Sequence, residues 1–258
     1  MRKRTRGVFS AVALTLAFGL AGLPALQASE SESAFRTGIS FDRLSRTVTW
    51  DGATVPSKVK ADSFTARETI LIKPGLAVEL IAGLSLSNFN GLVFRNLPVS
   101  LDYEAGATAG LLLGCGLRAR LLGSGDFEIE GVGRFVYSLG FKKTWPLQGF
   151  AVEGDSQGRP NWLVASLGPR ISYRFFGSFV PYATISASFF SGSFAMDQTL
   201  GDLTGHETKK LKSKSFLEVA LGADYRVGKR WTLRAEAGFL PYSGGVDGSA
   251  SVGLLYRF

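Results

Sequence analysis

Ser251-Val252-Gly253-Leu254-Leu255-Tyr256-Arg257-Phe258 is the stretch whose reading decides the fold. With Ala250, the residues Val252, Leu254, Tyr256 and Phe258 alternate with Ser251, Gly253, Leu255 and Arg257. A period of two is that of a β-strand with unlike faces. One face is apolar and closes on two aromatic rings, with no polar residue after Phe258 to carry the last ring into water. Such a strand predicts an apolar medium on one side.

The alternation recurs upstream. It is cleanest at 75–87, where Leu76, Val78, Leu80, Ala82, Leu84 and Leu86 alternate with Ala77, Glu79, Ile81, Gly83, Ser85 and Ser87. At 127–141, Phe127, Ile129, Phe135, Tyr137, Leu139 and Phe141 oppose Glu128, Glu130, Arg134 and Ser138. Segments 215–227 and 230–240 repeat it, with Glu218, Asp224, Arg226, Arg234 and Glu236 on the polar side. Weaker candidates near 35–49, 62–73, 106–121, 162–175 and 178–190, with the terminal strand at 248–258, bring the total to ten. In 62–73, keeping Ile70 and Ile72 on the apolar face puts Glu68 there too, which predicts a bulge or register change.

The connections alternate in length. Short ones fall at 73–75, 122–126, 176–178 and 227–230; long ones cover about 50–61, 88–105, 142–161, 191–214 and 241–247. This is the asymmetry of an up-and-down membrane barrel with both termini at the short-turn end. No apolar run in 29–258 is long enough to cross a bilayer as a helix. Glycine (32 residues) and aromatics (12%) instead suit strands that satisfy one another's backbones in lipid. Tyr173, Phe175, Phe179, Tyr225, Trp231, Tyr256 and Phe258 fall beside the short turns. Trp50, Phe141, Trp162, Phe189 and Phe239 fall beside the long ones, which predicts two interfacial belts. A soluble sandwich or lipocalin-like barrel would carry polar residues on its outside.

Ser251, Gly253, Tyr256 and Phe258 resemble the C-terminal assembly signal of bacterial outer-membrane β-barrels: a polar residue, a glycine, then two aromatics ending at the terminus. As a whole the chain resembles the small Gram-negative outer-membrane β-barrel superfamily, which includes the outer-membrane protein A barrel and the opacity adhesins. The resemblance spans about 230 residues, of which only the end motif is specific. It implies an all-β fold: an up-and-down antiparallel transmembrane β-barrel of ten strands, or eight if the first two segments form a periplasmic extension. It also implies an outer-membrane location, periplasmic termini, and recognition of Gly253, Tyr256 and Phe258 by the barrel assembly machinery.

Residues 1–28 read as a signal peptide and 29–258 as the barrel. Arg2, Lys3, Arg4 and Arg6 form a positive start, Val8 to Leu23 an apolar stretch, and Leu26 and Ala28 a cleavage site. The leader holds four of the 29 Lys/Arg and none of the 21 Asp/Glu, so the remainder carries 25 basic against 21 acidic residues. That balance, without basic residues interleaved with stacking aromatics, argues against nucleic acid. The single cysteine, Cys115, sits among leucines and glycines and reads as a small apolar residue packed against lipid or protein.

The inward faces collect opposite charges: Arg118, Arg120, Arg134, Arg170, Arg174, Arg226, Arg234 and Arg257 against Glu79, Glu128, Glu130, Glu218, Asp224 and Glu236. In a narrow barrel these meet across the lumen as a salt-bridged plug; the alternative is a narrow channel lined by Arg and Glu. No catalytic, cofactor or metal site is expected. His206, near Asp197, Asp202 and Glu207, reads as a solvated loop residue, with an outer-membrane hydrolase as the further alternative. Lys209, Lys210, Lys212 and Lys214 stand where lipopolysaccharide presents phosphates. Phe89, Leu92, Val93, Phe94 and Leu97, with Trp145, Leu147, Phe150 and Val152, are apolar loop residues that form either a cap or a contact surface for an unknown partner. The function expected is structural or surface-binding, in the manner of an adhesin, and carried by long extracellular loops. If the leader is read correctly, N-terminal sequencing of the exported protein gives Ser29; a start at Met1 contradicts it.

Overall fold

Alternating faces can be satisfied on both sides only if the strands pair edge to edge and the sheet closes. The computed structural model describes residues 35–50, 56–104, 106–149 and 152–258; the expected leader, its cleavage point and Phe150 lie outside the described residues. The strands are β1 (Phe35–Trp50), β2 (Ser57–Lys73), β3 (Leu76–Asn88), β4 (Leu92–Phe94), β5 (Leu101–Tyr103), β6 (Ala107–Ser124) and β7 (Phe127–Gly140). They continue as β8 (Lys143–Pro146), β9 (Gly154–Tyr173), β10 (Phe179–Leu200), β11 (Leu203–Ser213), β12 (Leu217–Val227), β13 (Trp231–Tyr242) and β14 (Gly245–Arg257). No described residue is helical.

Ten strands close a ring of antiparallel ladders in the order β1-β2-β3-β6-β7-β9-β10-β12-β13-β14, and β14 returns to β1 from Arg36↔Arg257 to Ser45↔Gly248. All ten segments expected from the alternation are present. The short turns lie at the end that holds Phe35 and Phe258. The fold is an up-and-down antiparallel transmembrane β-barrel.

Closure depends on parity. On β14 the even residues face out and the odd residues in, so Val252 and Leu254 are exposed while Leu255 is buried. The outer surface is apolar all round: Phe64, Leu80, Leu117, Leu167, Ile185, Leu221 and Leu233 are all exposed. Cys115 belongs to this face, paired with Leu80 and Phe135. A belt of Tyr173, Phe175, Phe179, Tyr225, Trp231 and Phe258 rings the end that holds Phe35 and Phe258. Trp231 meets Tyr256 edge-on at 4.8 Å, and Tyr256 meets Phe258 at 5.2 Å. Glu68 faces outward level with Tyr256, through Thr37, and the predicted irregularity in β2 is a register shift between Leu71 and Lys73.

Three expectations are corrected. The 191–214 stretch is a ribbon rather than a loop, because β10 runs straight on and β11 returns along it from Leu200↔Leu203 to Ser191↔Lys212. The 241–247 connection is a tight turn, with Tyr242 paired to Gly245. Trp50 and Trp162 leave the outer belt and point inward, where each packs into the core.

The ribbon changes the ring. β10 leaves β12 after Ala187↔Leu217 and takes β11 as its partner from Ser191 on. β11 then pairs directly with β1 at Val48↔Ser213 and Trp50↔Leu211. Toward the end away from Phe35 and Phe258, β11 therefore stands in place of β12, β13 and β14, and ten strands reduce to eight. Where β1 changes partner, Asp247 fills the seam. Its carboxylate accepts the Thr47 N–H at 2.7 Å, the Thr47 hydroxyl at 2.7 Å and the Ser215 hydroxyl at 3.3 Å. Asp247→Ala leaves the buried Thr47 N–H without its acceptor, while the Thr47 hydroxyl keeps Tyr242 and the Ser215 hydroxyl keeps Ser213. It is expected to lower barrel stability by about 2 kcal/mol, read as a lower urea midpoint for loss of the heat-sensitive folded band.

Candidate functional site

The lumen is built by inward residues of successive strands. Arg67 of β2 donates to both Asp42 oxygens, at 2.7 and 2.9 Å, and to Ser40 at 2.8 Å, while Glu79 lies 3.7 Å away. Arg134 reaches from β7 across to the same Asp42 on β1, 3.6 Å apart, although four strand positions separate them round the ring. Arg234 grips Asp224 with two bonds of 2.7 and 2.8 Å, and Arg170 joins Asp224 to Glu130. Arg170 also lies 3.5 Å over the Tyr182 ring, and Gly222 leaves room for that ring, since a Cβ there would meet the Tyr182 side chain. Arg46 pairs with Glu218 at 3.4 Å and Arg118 with Glu130 at 3.7 Å.

Among the charges expected inside, Glu79, Arg118, Glu130, Arg134, Arg170, Glu218, Asp224 and Arg234 join this network, and Glu236 lines the cavity it encloses. Arg120 and Glu128 pair with each other at 3.4 Å, half-exposed near a short turn. Arg174, Arg226 and Arg257 sit at that end as well, outside the cavity lining. Sequence reasoning missed Asp42, Arg46 and Arg67. Their signal was the parity of β1 and β2, hidden by the irregular look of the 62–73 segment.

The network lines a cavity of about 220 Å³ whose walls also include Leu112, Val136 and Trp162. Arg46 Nη1, Arg134 Nε, Arg170 Nε and the Tyr182 hydroxyl make no hydrogen bond to protein there, and the cavity has room for several waters to serve them. Toward the eight-stranded end the interior turns apolar. Leu112, Val136, Trp162 and Phe190 are buried, with Leu44 and Val164 against them. Trp162 stacks on Phe190 and donates its N–H to Ser87 at 2.7 Å.

Above that layer the β4–β5 hairpin folds over the mouth. Phe194 of β10 is the hub, with Tyr103, Phe89 and Phe94 at ring distances of 4.6, 5.6 and 5.7 Å, and Trp145 meets Tyr103 at 5.7 Å. Phe89, Leu92, Phe94 and Leu97 are buried, whereas Val152 is exposed. Polar bonds fix the hairpin to the projecting β8-β9-β10-β11 sheet: Val99 N–H donates to Gln198 at 2.6 Å and Asn96 N–H to Glu207 at 2.8 Å. Lys209 meets the same Glu207 at 2.6 Å and lies over Phe94. Burial alone would raise the Glu207 carboxyl, but the bonds from Lys209 and Asn96 outweigh it and hold the group below its ordinary value.

This places Lys209 inside the cap, so the four lysines do not form one outward cluster. Lys210, Lys212 and Lys214 face outward. His206 also faces out, its Nδ1 2.6 Å from Asp197 and its Nε2 3.1 Å from the Thr208 hydroxyl. Asp197–His206–Thr208 is a hydrogen-bonded chain on exposed ribbon, outside the cavity lining. Among the described residues no group of three or more His, Cys, Asp or Glu could hold a metal. Gly253 faces the lumen, and Tyr256 and Phe258 face out.

No protein-family model and no curated protein matches the sequence. Among solved structures, the chain is similar to the outer membrane protease OmpT of Escherichia coli, at 12% identity and a TM-score of 0.52 over 90% of this chain and 99% of that one. It also matches the β domain of the Bordetella autotransporter BrkA, at 14% identity and a TM-score of 0.47 over 87% and 100%. A third match is the attachment invasion locus protein Ail of Yersinia pestis, at 13% identity and a TM-score of 0.34 over 88% and 100%. The fold is that of the small outer-membrane β-barrels.

The Glu207 bridge ties the hairpin to the ribbon and carries the charge that Lys209 needs. Its contribution is present at neutral pH, above the ordinary glutamate value of about 4.3, and is lost as pH falls through the lowered value. Glu207→Gln at neutral pH is expected to speed tryptic cleavage after Arg95, in the exposed hairpin tip, by roughly tenfold. An unchanged cleavage rate would show that the apolar contacts alone hold the hairpin.

Proposed function

We propose that this chain is an outer-membrane barrel with a closed lumen, periplasmic termini and a non-enzymatic, surface-binding role. The projecting β8-β9-β10-β11 sheet and its docked hairpin are the binding platform. One observation carries this reading: the buried apolar layer of Leu112, Val136, Trp162 and Phe190 bounds the charged cavity on the side of the capping hairpin. An ion that left the charged lumen would have to cross a dry aromatic layer, at the level where the ring has only eight strands. Eight-stranded interiors are filled by side chains. What the protein holds outward is then a rigid sheet and a pinned hairpin, at little conformational cost to a partner.

The second reading is the narrow Arg/Glu channel, supported by the charged cavity. It requires the cap to open. Refolded protein in a planar bilayer, with folding checked by a heat-sensitive gel shift, is expected to show no conductance steps. Steady steps that change on Arg134→Gln or Glu218→Gln would sink the closed-barrel reading and establish the channel.

A further inference from the structure

The lysine residues on the outer wall fall into two columns that only the ladder brings together. On β11, Lys210 and Lys212 point outward, with Lys214 just beyond the strand end. On β2, Lys58 and Lys60 point outward as well. β1 runs between the columns. Thr49 lies opposite Lys212, Lys214 N–H bonds to Thr47 O, Thr47 lies opposite Lys58, and Ser45 lies opposite Lys60. Neighbouring strands are spaced about 4.8 Å, so Lys214 and Lys58 flank Thr47 with backbones roughly 10 Å apart. Between the columns Ser45 and Thr49 are half-buried, and Thr47 is buried under the β13–β14 turn, its hydroxyl bonded to Asp247 at 2.7 Å and to the Tyr242 hydroxyl at 3.2 Å.

The height of this bay is set by its neighbours. Two residues further toward the terminal end, Arg43 and Asp62 pair with each other at 3.6 Å, and Phe41 and Phe64 follow at 5.6 Å on the apolar wall. Beside β11, the exposed rings of Phe189 and Phe216 mark the same boundary. The five lysines therefore begin where the apolar belt ends. None has an ion pair among the described residues. The nearest acid inside the bay, Asp247, is buried and engaged by Thr47 and Ser215.

We propose that this bay binds the phosphates of a phosphorylated lipid headgroup in the outer leaflet. Acyl chains would lie on the apolar wall around Phe41, Phe64 and Phe216, and the phosphates would lie between the lysine columns. Clustered cations at a membrane interface attract anionic headgroups and lose that attraction in salt. The proposal rests on the outer-membrane reading above, with this end of the barrel outside.

The test uses the full mature chain refolded into phosphatidylcholine vesicles containing lipid A, with retained lipid measured by native mass spectrometry after detergent extraction. The wild type is expected to retain the bisphosphorylated form and not its dephosphorylated counterpart. Replacing Lys58, Lys60, Lys210, Lys212 and Lys214 by Gln is expected to cut retention at least roughly tenfold, while replacing all five by Arg restores it. Lys209→Gln, inside the cap, is expected to leave it unchanged. Equal retention by the five-Gln variant, or of the dephosphorylated lipid, overturns the proposal alone. Release by millimolar inorganic phosphate overturns the lipid as the source and leaves a free-phosphate site. A chain that gives no heat-sensitive folded band in any vesicle overturns the barrel reading along with it.

Discussion

The ladder between β14 and β1 is the contact on which the rest of the structure depends. In a bilayer an unpaired backbone N–H or C=O costs several kcal/mol, so a sheet with two free edges has no stable place there. Joining the last strand to the first, from Arg36↔Arg257 to Ser45↔Gly248, removes both edges. It also fixes which residues meet lipid, because a register slip of one residue would turn Gly253 and Leu255 outward and bring Tyr256 and Val252 into the lumen. The edge-on contacts of Trp231, Tyr256 and Phe258 belong to the face this register selects.

The same ladder ends early. Beyond Ser45 the β13–β14 hairpin is no longer paired with β1, and β11 takes its place. Such a change of partner exposes backbone polar groups at the seam, and Asp247 answers the Thr47 N–H directly. The consequence is a barrel of two calibres. The ten-stranded part has space for a charged cavity, and the eight-stranded part is filled by aromatic and aliphatic side chains. The capping hairpin sits on that filling and on the inner face of the β9-β10-β11 sheet, where Gly158 of β9 leaves room for the Phe194 ring and Gly205 of β11 for Pro98.

Inside the wide part the charges act as struts. Arg134 and Asp42 stand four strand positions apart around the ring, and Arg46 and Glu218 three. Replacing such pairs by apolar residues of equal size need not destabilise a protein, whereas removing one partner strands the other. Their value here is geometric. They tie opposite walls together in a lumen too wide to be filled by hydrophobic side chains alone.

The barrel itself, its ten strands and the direction of most faces were legible in the sequence, Trp50 and Trp162 excepted, because a period of two reports lipid against lumen one residue at a time. Paired lumen charges such as Arg234 with Asp224 and Arg118 with Glu130 followed from the same parity. Arg67 and Asp42 did not, because Glu68 faces outward at the belt and blurs the pattern of β2. Nor did the ribbon. Residues 191–214 are polar and glycine-containing, and only the inward set Phe194, Met196 and Leu211, meeting a hairpin distant in sequence, makes them strand. The joining of Lys58 to Lys214 was likewise decided by tertiary structure, since their proximity depends on β11 reaching β1. Local alternation determines which way a side chain points; which strand stands next to it is decided by closure and by the core above the lumen.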